Sequence, residues 1–261
     1  MATSTEIALT VANRLDRSVS RALPAALVRH PHRCPACGYS GRFSTAWALT
    51  GRRSEAYCPA CHAAERHRLQ ALVVEALARR FDFASMSMLH IAPEPILQGR
   101  FRDEFGSYTT ADLVREDVDL NFDLTDVPLE TGSYDVVYAS HVLEHIPDDL
   151  AAIAEIRRLL APGGFAVLPV PMVCAETVEY PVPVASEAGH VRAPGPDYFE
   201  RFADFDAVEV FRSRDFGDEP QVYVVEDRTR YPNRYAPYRT PTPGHRHEDM
   251  VPVCFQERAG R

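Results

Sequence analysis

Apolar residues recur along this chain with two periods, one typical of strands and one typical of helices. Residues 135–139 form a short apolar run, which predicts a buried β-strand. The following segment spaces its apolar side chains three or four residues apart, which predicts a helix, and Pro162-Gly163-Gly164 signals its end. Residues 165–169 then form the next predicted strand. The apolar residues at helical spacing are Leu150, Ile153, Ile156 and Leu160.

The same patterns divide most of the chain into strands and helices, which predicts an α/β fold. Residues 221–226 and 251–256 both qualify as the last strand, and we favour the second of these segments. The other predicted strands cover residues 86–92, 108–113, 121–125 and 206–211, and the other predicted helices cover residues 5–26, 64–80 and a segment starting at Asp197.

Polar residues with acid–base chemistry follow the predicted strand at residues 135–139. His141, Glu144 and His145 come just past its carboxyl end, which is where open α/β sheets bind their ligands. This placement predicts a functional site at that edge of the sheet.

The segment around these residues resembles the central part of class I S-adenosylmethionine-dependent methyltransferases. The likeness rests on the strings SYDVVYASHVLEHI and EIRRLLAPGG, covers residues 89–171 well and extends more loosely to Phe211. It implies a Rossmann-like, seven-stranded methyltransferase sheet with helices on both faces. It also implies S-adenosylmethionine as the cofactor and methyl transfer as the reaction.

Two aspartates are predicted to hold this cofactor. Asp112 ends a predicted strand about 20 positions after His90, where nucleotide-binding sheets place a carboxylate for the ribose hydroxyls. The resemblance assigns Asp123 to the adenine amino group. The complete predicted set of cofactor-binding residues is His90, Ala92, Glu94, Asp112, Leu113, Asp123, Leu124, Ser140 and His141.

The turn after the predicted strand at residues 86–92 departs from the methyltransferase pattern. It reads Ala92-Pro93-Glu94-Pro95 and has no glycine, whereas the family usually has a glycine-rich turn there. A dinucleotide site needs such glycines so that the backbone can approach a pyrophosphate. S-adenosylmethionine has no phosphate, so a looser turn is compatible with it, and Glu94 is a candidate partner for its ammonium group.

Two Cys-x-x-Cys motifs, separated by twenty residues, predict a four-cysteine zinc ribbon. Four thiolates complete tetrahedral coordination and leave no open position, so a bound Zn²⁺ would be structural. Disulfides are the alternative. The ribbon, ERHRL and LHIAPE together resemble one group of bacterial methyltransferases with an N-terminal zinc ribbon. The predicted ligands are Cys34, Cys37, Cys58 and Cys61.

These motifs predict three consecutive regions. Residues 1–30 form an N-terminal helical segment, residues 31–63 the ribbon and residues 64–261 the methyltransferase domain. Residues 173–192 and 212–250 are predicted to be inserts on the substrate side. The N-terminal helix is predicted to pack on the main domain; a lid over the active site or a homodimer contact are the alternatives.

The amino-acid composition limits the kinds of partner that the chain is expected to bind. The net charge of −9 argues against nucleic acid, because non-specific binding to DNA or RNA depends on basic side chains that neutralise phosphates. No apolar run reaches the roughly 18 residues that span a membrane, and no secretory signal is recognisable. We therefore expect a cytoplasmic protein with no membrane partner.

The sequence thus favours methyl transfer to O or N of a small-molecule acceptor, such as a sugar, a glycan or a specialised metabolite. His145 and His141 are the candidate general bases for a hydroxyl acceptor, although structural roles for both remain open. His190 and Arg192 are the alternative acceptor contacts. A catalytically silent scaffold, and an RNA or protein methyltransferase that uses the ribbon for recognition, are the competing hypotheses.

Overall fold

A computed structural model describes residues 4–29 and 31–257. Residues 1–3 and 30 of the predicted N-terminal segment, and residues 258–261 of the predicted methyltransferase domain, lie outside the described residues. The helices are α1 (Ser4–Ala22), α2 (Glu65–Ala78), α3 (Pro95–Glu104) and α4 (Asp149–Leu159). The strands are β1 (His32–Arg33), β2 (Ser40–Gly41), β3 (Ser44–Trp47), β4 (Arg52–Tyr57), β5 (Ser87–Ile91), β6 (Ser107–Asp112), β7 (Leu120–Asn121), β8 (Tyr134–Ala139), β9 (Leu160–Val167), β10 (Val178–Val184), β11 (His190–Ala193), β12 (Ala207–Arg212), β13 (Val224–Glu226), β14 (Arg246–His247) and β15 (Met250–Phe255).

These elements form two compact units, each assembled from separate stretches of the chain. The first comprises Met1–Val74, Val184–Gly189 and Arg212–Asp249. The second comprises Glu75–Pro183, His190–Phe211 and Met250–Arg261.

The second unit is built on a seven-stranded sheet with the order β12-β15-β9-β8-β5-β6-β7. Strands β5 to β9 pair in parallel, whereas β15 pairs antiparallel with β9. This is the mixed, Rossmann-like sheet that the methyltransferase resemblance implied, so the predicted fold class is confirmed. The preference for the final segment as the last strand is also confirmed, because β15 takes that place.

Alternation along the central strands sends side chains to both faces of this sheet. On one face Leu89, Ile91 and Val137 belong to the same buried apolar cluster as Ile153 and Ile156 of α4. On the other face the rings of His90 and Tyr138 contact Phe101 of α3 at centroid distances of 5.3 and 4.9 Å. Helices therefore cover both faces.

Helix α4 begins and ends close to the predicted positions. Asp148 caps its first turn by accepting a hydrogen bond from the Ala151 amide at 3.1 Å. Gly164 is required after the helix because a Cβ there would lie 2.5 Å from the Asp135 carbonyl oxygen. Leu150 was expected in the core stripe but is 58% exposed, since it occupies the outer face of the first turn.

The first unit contains a four-stranded sheet with the order β14-β13-β4-β3. Strand β13 pairs antiparallel with β4, with Val225 opposite Ser54 and Glu226 opposite Arg53. The segment at residues 212–250, which we predicted to be a substrate-side insert, thus contributes two strands next to the cysteine motifs. Its relation to a substrate stays a prediction.

Helix α1 is amphipathic, but its polar face is the one that contacts the rest of the first unit. Asn13 exchanges two hydrogen bonds with the backbone of Trp47, and Asp16 accepts one from the Thr45 amide at 2.6 Å. The apolar face, expected to be buried, is instead at least half exposed at Ile7, Val11, Leu15 and Val19.

Among the described residues, no helix combines the length and the apolar character that crossing a membrane would require.

Candidate active site and cysteine cluster

A cavity of about 200 Å³ lies at the carboxyl ends of the parallel strands in the second unit. Open α/β sheets bind ligands at this edge, where the strand order reverses between β5 and its neighbours. Five predicted site residues line the cavity together: Asp112, Leu113, Asp123, Leu124 and His145. The remaining lining residues, which sequence reasoning did not assign to a site, are Ile91, Phe122, Val142 and Ile146.

In both Asp112 and Asp123, one carboxylate oxygen accepts hydrogen bonds from residues two or three positions further along the chain. Oδ1 of Asp112 accepts hydrogen bonds from the amides of Val114 (2.9 Å) and Arg115 (3.1 Å). Oδ1 of Asp123 accepts two from Thr125, which lower the pKa of Asp123 below its ordinary value. These hydrogen bonds hold each carboxylate in place through Oδ1 and leave Oδ2 able to accept a ligand donor.

The glycine-free turn after β5 adopts the backbone conformation that normally favours glycine. Ala92 has a φ of +47°, in the left-handed region, and its amide donates to the Ala111 carbonyl at 2.7 Å. The Ser140 hydroxyl donates to Glu94 Oε2 at 2.9 Å. The turn therefore brings Glu94 to the end of β8, although neither Glu94 nor Ser140 lines the cavity.

The His90 side chain does not line this cavity. It is fully buried between sheet and helix, where its Nδ1 atom lies 2.8 Å from the Tyr108 hydroxyl. Burial lowers the pKa of His90 to about 3, so the imidazole is neutral at physiological pH. Its predicted cofactor contact could be made only by its backbone.

Three histidines surround the carboxylate of Glu144. We call these four residues, His141, Glu144, His145 and His190, the Glu144 cluster. His141 Nδ1 lies 3.3 Å from Glu144 Oε1, and the Nε2 atoms of His145 and His190 both lie 3.9 Å from the same oxygen. Burial would raise the pKa of this fully buried carboxyl, but the nearby histidines more than offset that effect and lower the pKa below its ordinary value. The structure thus brings together all three predicted catalytic histidines, which are up to 49 positions apart in the chain.

A buried arginine, Arg192, orders the backbone that carries this cluster. Its guanidinium is 2% exposed and donates to the carbonyls of Leu143 (2.7 Å), Ile146 (2.6 Å) and Pro147 (3.0 Å). Its Nη1 atom also lies 3.4 Å from Asp149 Oδ2. Arg192 is therefore a scaffold for the loop after β8, rather than the acceptor contact that the sequence suggested.

Asp149 extends the same network and was missed as a site residue. It accepts from the Tyr198 hydroxyl at 2.5 Å and from Arg201 at 2.6 Å. In the sequence Asp149 reads only as a charge in the first turn of a helix. The signal that could have found its role is the pair of arginines in the segment at residues 190–202.

In the first unit the four predicted metal ligands converge. Each Cys-x-x-Cys motif forms the same tight turn: the Gly38 amide donates to the Cys34 carbonyl, and the His62 amide donates to the Cys58 carbonyl. The Sγ atoms of Cys34 and Cys61, and those of Cys37 and Cys58, are 3.7 Å apart. This is far longer than a disulfide and close to the roughly 3.8 Å between thiolates that share one tetrahedral Zn²⁺.

Arg68 lies beneath this cluster with its charge fully buried. It donates to the carbonyls of Ala63 (2.7 Å), Ala56 (2.8 Å) and Gln221 (2.9 Å), and its guanidinium stacks on Phe43 at 4.4 Å. Elsewhere in the first turn of α2, Glu65 forms an ion pair with Arg53 at 3.2 Å. Arg68 instead binds backbone carbonyls, because the hairpin edges present oxygens rather than carboxylates.

The first unit also holds a larger cavity of about 590 Å³. Its charged lining is already partly neutralised internally, for example by the 3.2 Å contact between Arg230 and Asp227. Cavity volume alone therefore does not identify the functional site, because the predicted site residues line the smaller cavity.

Comparison with known proteins supports the same assignment. Residues 101–168 match a protein-family model described as a methyltransferase domain. The matched segment contains α4, both cavity aspartates and Glu144 with His141 and His145, whereas His190 lies outside it. The match supports the methyltransferase resemblance over these residues, and the bounds of the domain at residues 64–261 stay a prediction.

Curated relatives match over a similar region. The chain is 31% identical over 93 residues to the ubiquinone biosynthesis O-methyltransferase of Pectobacterium atrosepticum, covering 36% of this chain and 35% of that protein. It is 37% identical over 82 residues to the demethylmenaquinone methyltransferase of Staphylococcus aureus, covering 31% of each. The chain thus matches only about a third of the length of these relatives.

Solved structures of low sequence identity are similar as well. The 1,6-didemethyltoxoflavin-N1-methyltransferase of Burkholderia thailandensis, solved with its substrate and S-adenosylhomocysteine, aligns with a TM-score of 0.48 and 16% identity. That alignment covers 74% of this chain and 79% of the other protein.

Proposed function

We propose that this chain, which carries a methyltransferase domain over residues 101–168, transfers a methyl group from S-adenosylmethionine to O or N of a small-molecule acceptor. The observation that carries the proposal is the cavity at the carboxyl edge of the sheet. There, two ordered aspartates and an apolar lining lie next to a histidine.

The cavity and the turn after β5 together offer a partner for each part of the cofactor. Asp112 accepts hydrogen bonds from the ribose hydroxyls, and Asp123 accepts one from the adenine amino group. Ile91, Leu113 and Leu124 provide apolar surface for the adenine ring. Glu94, beside Ser140, pairs with the ammonium group; the cofactor supplies a methyl group activated by a sulfonium.

The acceptor side of the site is assigned to the histidines. Methyl transfer is an in-line displacement, so the protein must align the acceptor and exclude water. His145 is the histidine that lines the cavity, and it is the proposed general base for a hydroxyl acceptor. His141 and His190 are the other candidates, and Glu144 orients all three.

The net charge of the chain indicates the class of acceptor. A net charge of −9 disfavours RNA, which leaves a small molecule in a cytoplasmic enzyme as the best-supported hypothesis. One curated relative is named for ubiquinone biosynthesis, and the other is named for demethylmenaquinone. A silent scaffold remains the alternative, motivated by the missing glycines.

The cysteine cluster is proposed to hold a structural Zn²⁺. Four thiolates match the preferred ligand set, and their spacing fits one tetrahedral ion. No open coordination position would remain, so the ion would stabilise the first unit rather than take part in methyl transfer. A role of α1 in a homodimer stays a prediction.

The test is calorimetric titration of the zinc-loaded protein with S-adenosylmethionine and S-adenosylhomocysteine. We expect wild-type binding to weaken by about 10- to 100-fold in Asp112→Asn, because a charged acceptor of hydrogen bonds is lost. Asparagine keeps the Oδ1 acceptor for Val114 and Arg115, so the turn should survive. Glu116→Gln, an exposed carboxylate outside the cavity lining, is the matched control.

Two outcomes would count against the proposal. If the wild-type protein binds neither compound, the methyltransferase hypothesis fails and the scaffold hypothesis replaces it. If Asp112→Asn binds as tightly as Glu116→Gln, the cofactor lies elsewhere.

A further inference from the structure

The Glu144 cluster has a second property that proton transfer does not require. Among the described residues, only two groups of His, Cys, Asp or Glu bring three or more donor atoms within 4.8 Å of one another. One is the four-cysteine cluster. The other consists of Glu144, His145 and His190.

The Glu144 carboxylate is the unusual member. It is fully buried, and neither oxygen receives a well-formed hydrogen bond from the described residues. Burying an ionised carboxylate without hydrogen bonds costs several kcal/mol or more, so such groups are normally paired with a cation or coordinate a metal. The groups within 4 Å that can balance its charge are imidazoles, and imidazoles are themselves good ligands for transition metals.

We propose that Glu144, His145 and His190 bind one divalent transition-metal ion at the edge of the cavity. Two imidazoles and one carboxylate with open positions are a ligand set used for such ions in proteins. The two Nε2 atoms each lie 3.9 Å from Oε1 of Glu144. Ligands about 2.1 Å from a common ion are roughly 3 to 3.5 Å apart, so each of these two distances must shorten by roughly 0.4 to 0.9 Å.

The side chains can make this adjustment. His145 is 36% exposed and is held on a short 3-10 turn, Leu143–His145, rather than in the core. Its ring meets the His190 ring edge to face at 4.8 Å. Rotation of these two rings about their side-chain torsions closes the triangle without moving the backbone that Arg192 holds. His141, 3.3 Å from the same carboxylate oxygen, orients Glu144 and is not a ligand in this proposal.

An ion at this position would have a direct consequence for the reaction. Because His145 also lines the cavity, the open coordination positions would face the space where the acceptor is expected. A bound cation would hold an acceptor oxygen there and lower the pKa of its hydroxyl, which would replace general-base action by His145 because its Nε2 atom would then be a ligand. This consequence rests on the proposed function, whereas binding of the ion itself does not.

The experiment is a Co²⁺ titration followed by visible absorption. We start from metal-free full-length protein and expect two ions per chain. The four-cysteine site gives intense thiolate-to-cobalt charge-transfer bands, and the second site gives weak d–d bands without them. Glu144→Gln and His190→Ala should each weaken the second ion by more than about 100-fold and leave the thiolate bands unchanged.

His245→Ala is the matched control, because His245 is exposed and belongs to the first unit. Retained thiolate bands and unchanged circular dichroism show that a variant is folded. His145→Ala, at the more exposed ligand, provides a second test if His190→Ala fails to fold. Only one Co²⁺ per chain, with thiolate bands alone, would overturn the proposal, and so would a second ion that all three variants retain.

Titration of the same samples with S-adenosylmethionine separates this proposal from the proposed function. A second ion without cofactor binding would uphold the metal site and reject the methyltransferase hypothesis. Cofactor binding with only one ion would reject the metal site and uphold cofactor binding by the methyltransferase fold.

Discussion

Burial of the His90 side chain makes the stability of the central sheet depend on pH. The imidazole is neutral in the folded chain because burial lowers its pKa to about 3, whereas the ordinary value is 6.5. Below pH 6.5 the unfolded chain therefore binds a proton that the folded chain does not. Stability from this residue is complete above pH 6.5 and is lost as the pH falls toward the folded value.

We expect the free energy of unfolding of the second unit to fall by about 2 kcal/mol between pH 7 and pH 5 because of His90. Denaturant titrations at both pH values measure this, with His90→Gln as the variant that removes the titration. His245→Gln, at an exposed histidine, should keep the wild-type dependence on pH. Equal slopes in wild type and His90→Gln would show that the buried imidazole is not the cause.

At the scale of elements, the loop after β8 depends on a residue from β11. Arg192 donates hydrogen bonds to three carbonyls in and just after the short turn at Leu143–His145, which carries His145. A planar guanidinium can reach all three at once, whereas a lysine ammonium cannot. The position of His145 is therefore determined by a contact between segments that are distant in the chain.

Arg192→Lys should destabilise the second unit by roughly 2–4 kcal/mol, because one ammonium group cannot satisfy all three buried carbonyls. Hydrogen exchange of the amides at residues 143–147 should accelerate more than exchange in β5 or β8. Arg214→Lys is a suitable control, since Arg214 belongs to the first unit, is largely exposed and pairs with Glu248 at 2.7 Å. Unchanged exchange at residues 143–147 in Arg192→Lys would contradict the scaffold role.

At the scale of the whole molecule, the two units are stabilised by different means. The second unit has a continuous apolar core across its sheet. The first unit has small sheets, and its cysteine cluster and the buried Arg68 take the place of a large core. Loss of the proposed Zn²⁺ should therefore affect the first unit selectively.

Purified protein should contain one tightly bound Zn²⁺ per chain in the cysteine cluster. Its removal by a chelator, or Cys58→Ser, should abolish protection from hydrogen exchange in β3 and β4, because metal binding supplies folding free energy to small modules. The amides of β5 and β8 should stay protected. Equal loss of protection in both units would show that the ion stabilises the chain as a whole.

Local patterns in the sequence determined much of this structure. The two Cys-x-x-Cys motifs form the predicted knuckles because their ligands are three residues apart and the turn is local. The central strands and α4 follow from periodicity, because each needs only an apolar face. The positions of Asp112 and Asp123 follow from where their strands end.

Contacts between distant segments were decided only by the tertiary structure. The pairing of β13 with β4, the arrangement of Arg192 with Asp149, and the approach of His190 to Glu144 join residues that local patterns cannot relate. The burial of His90 and the exposed apolar face of α1 were likewise not determined by periodicity, which identifies a face but not what covers it. Such contacts depend on where the chain returns in space, and the free energy that selects them comes from packing and buried charge.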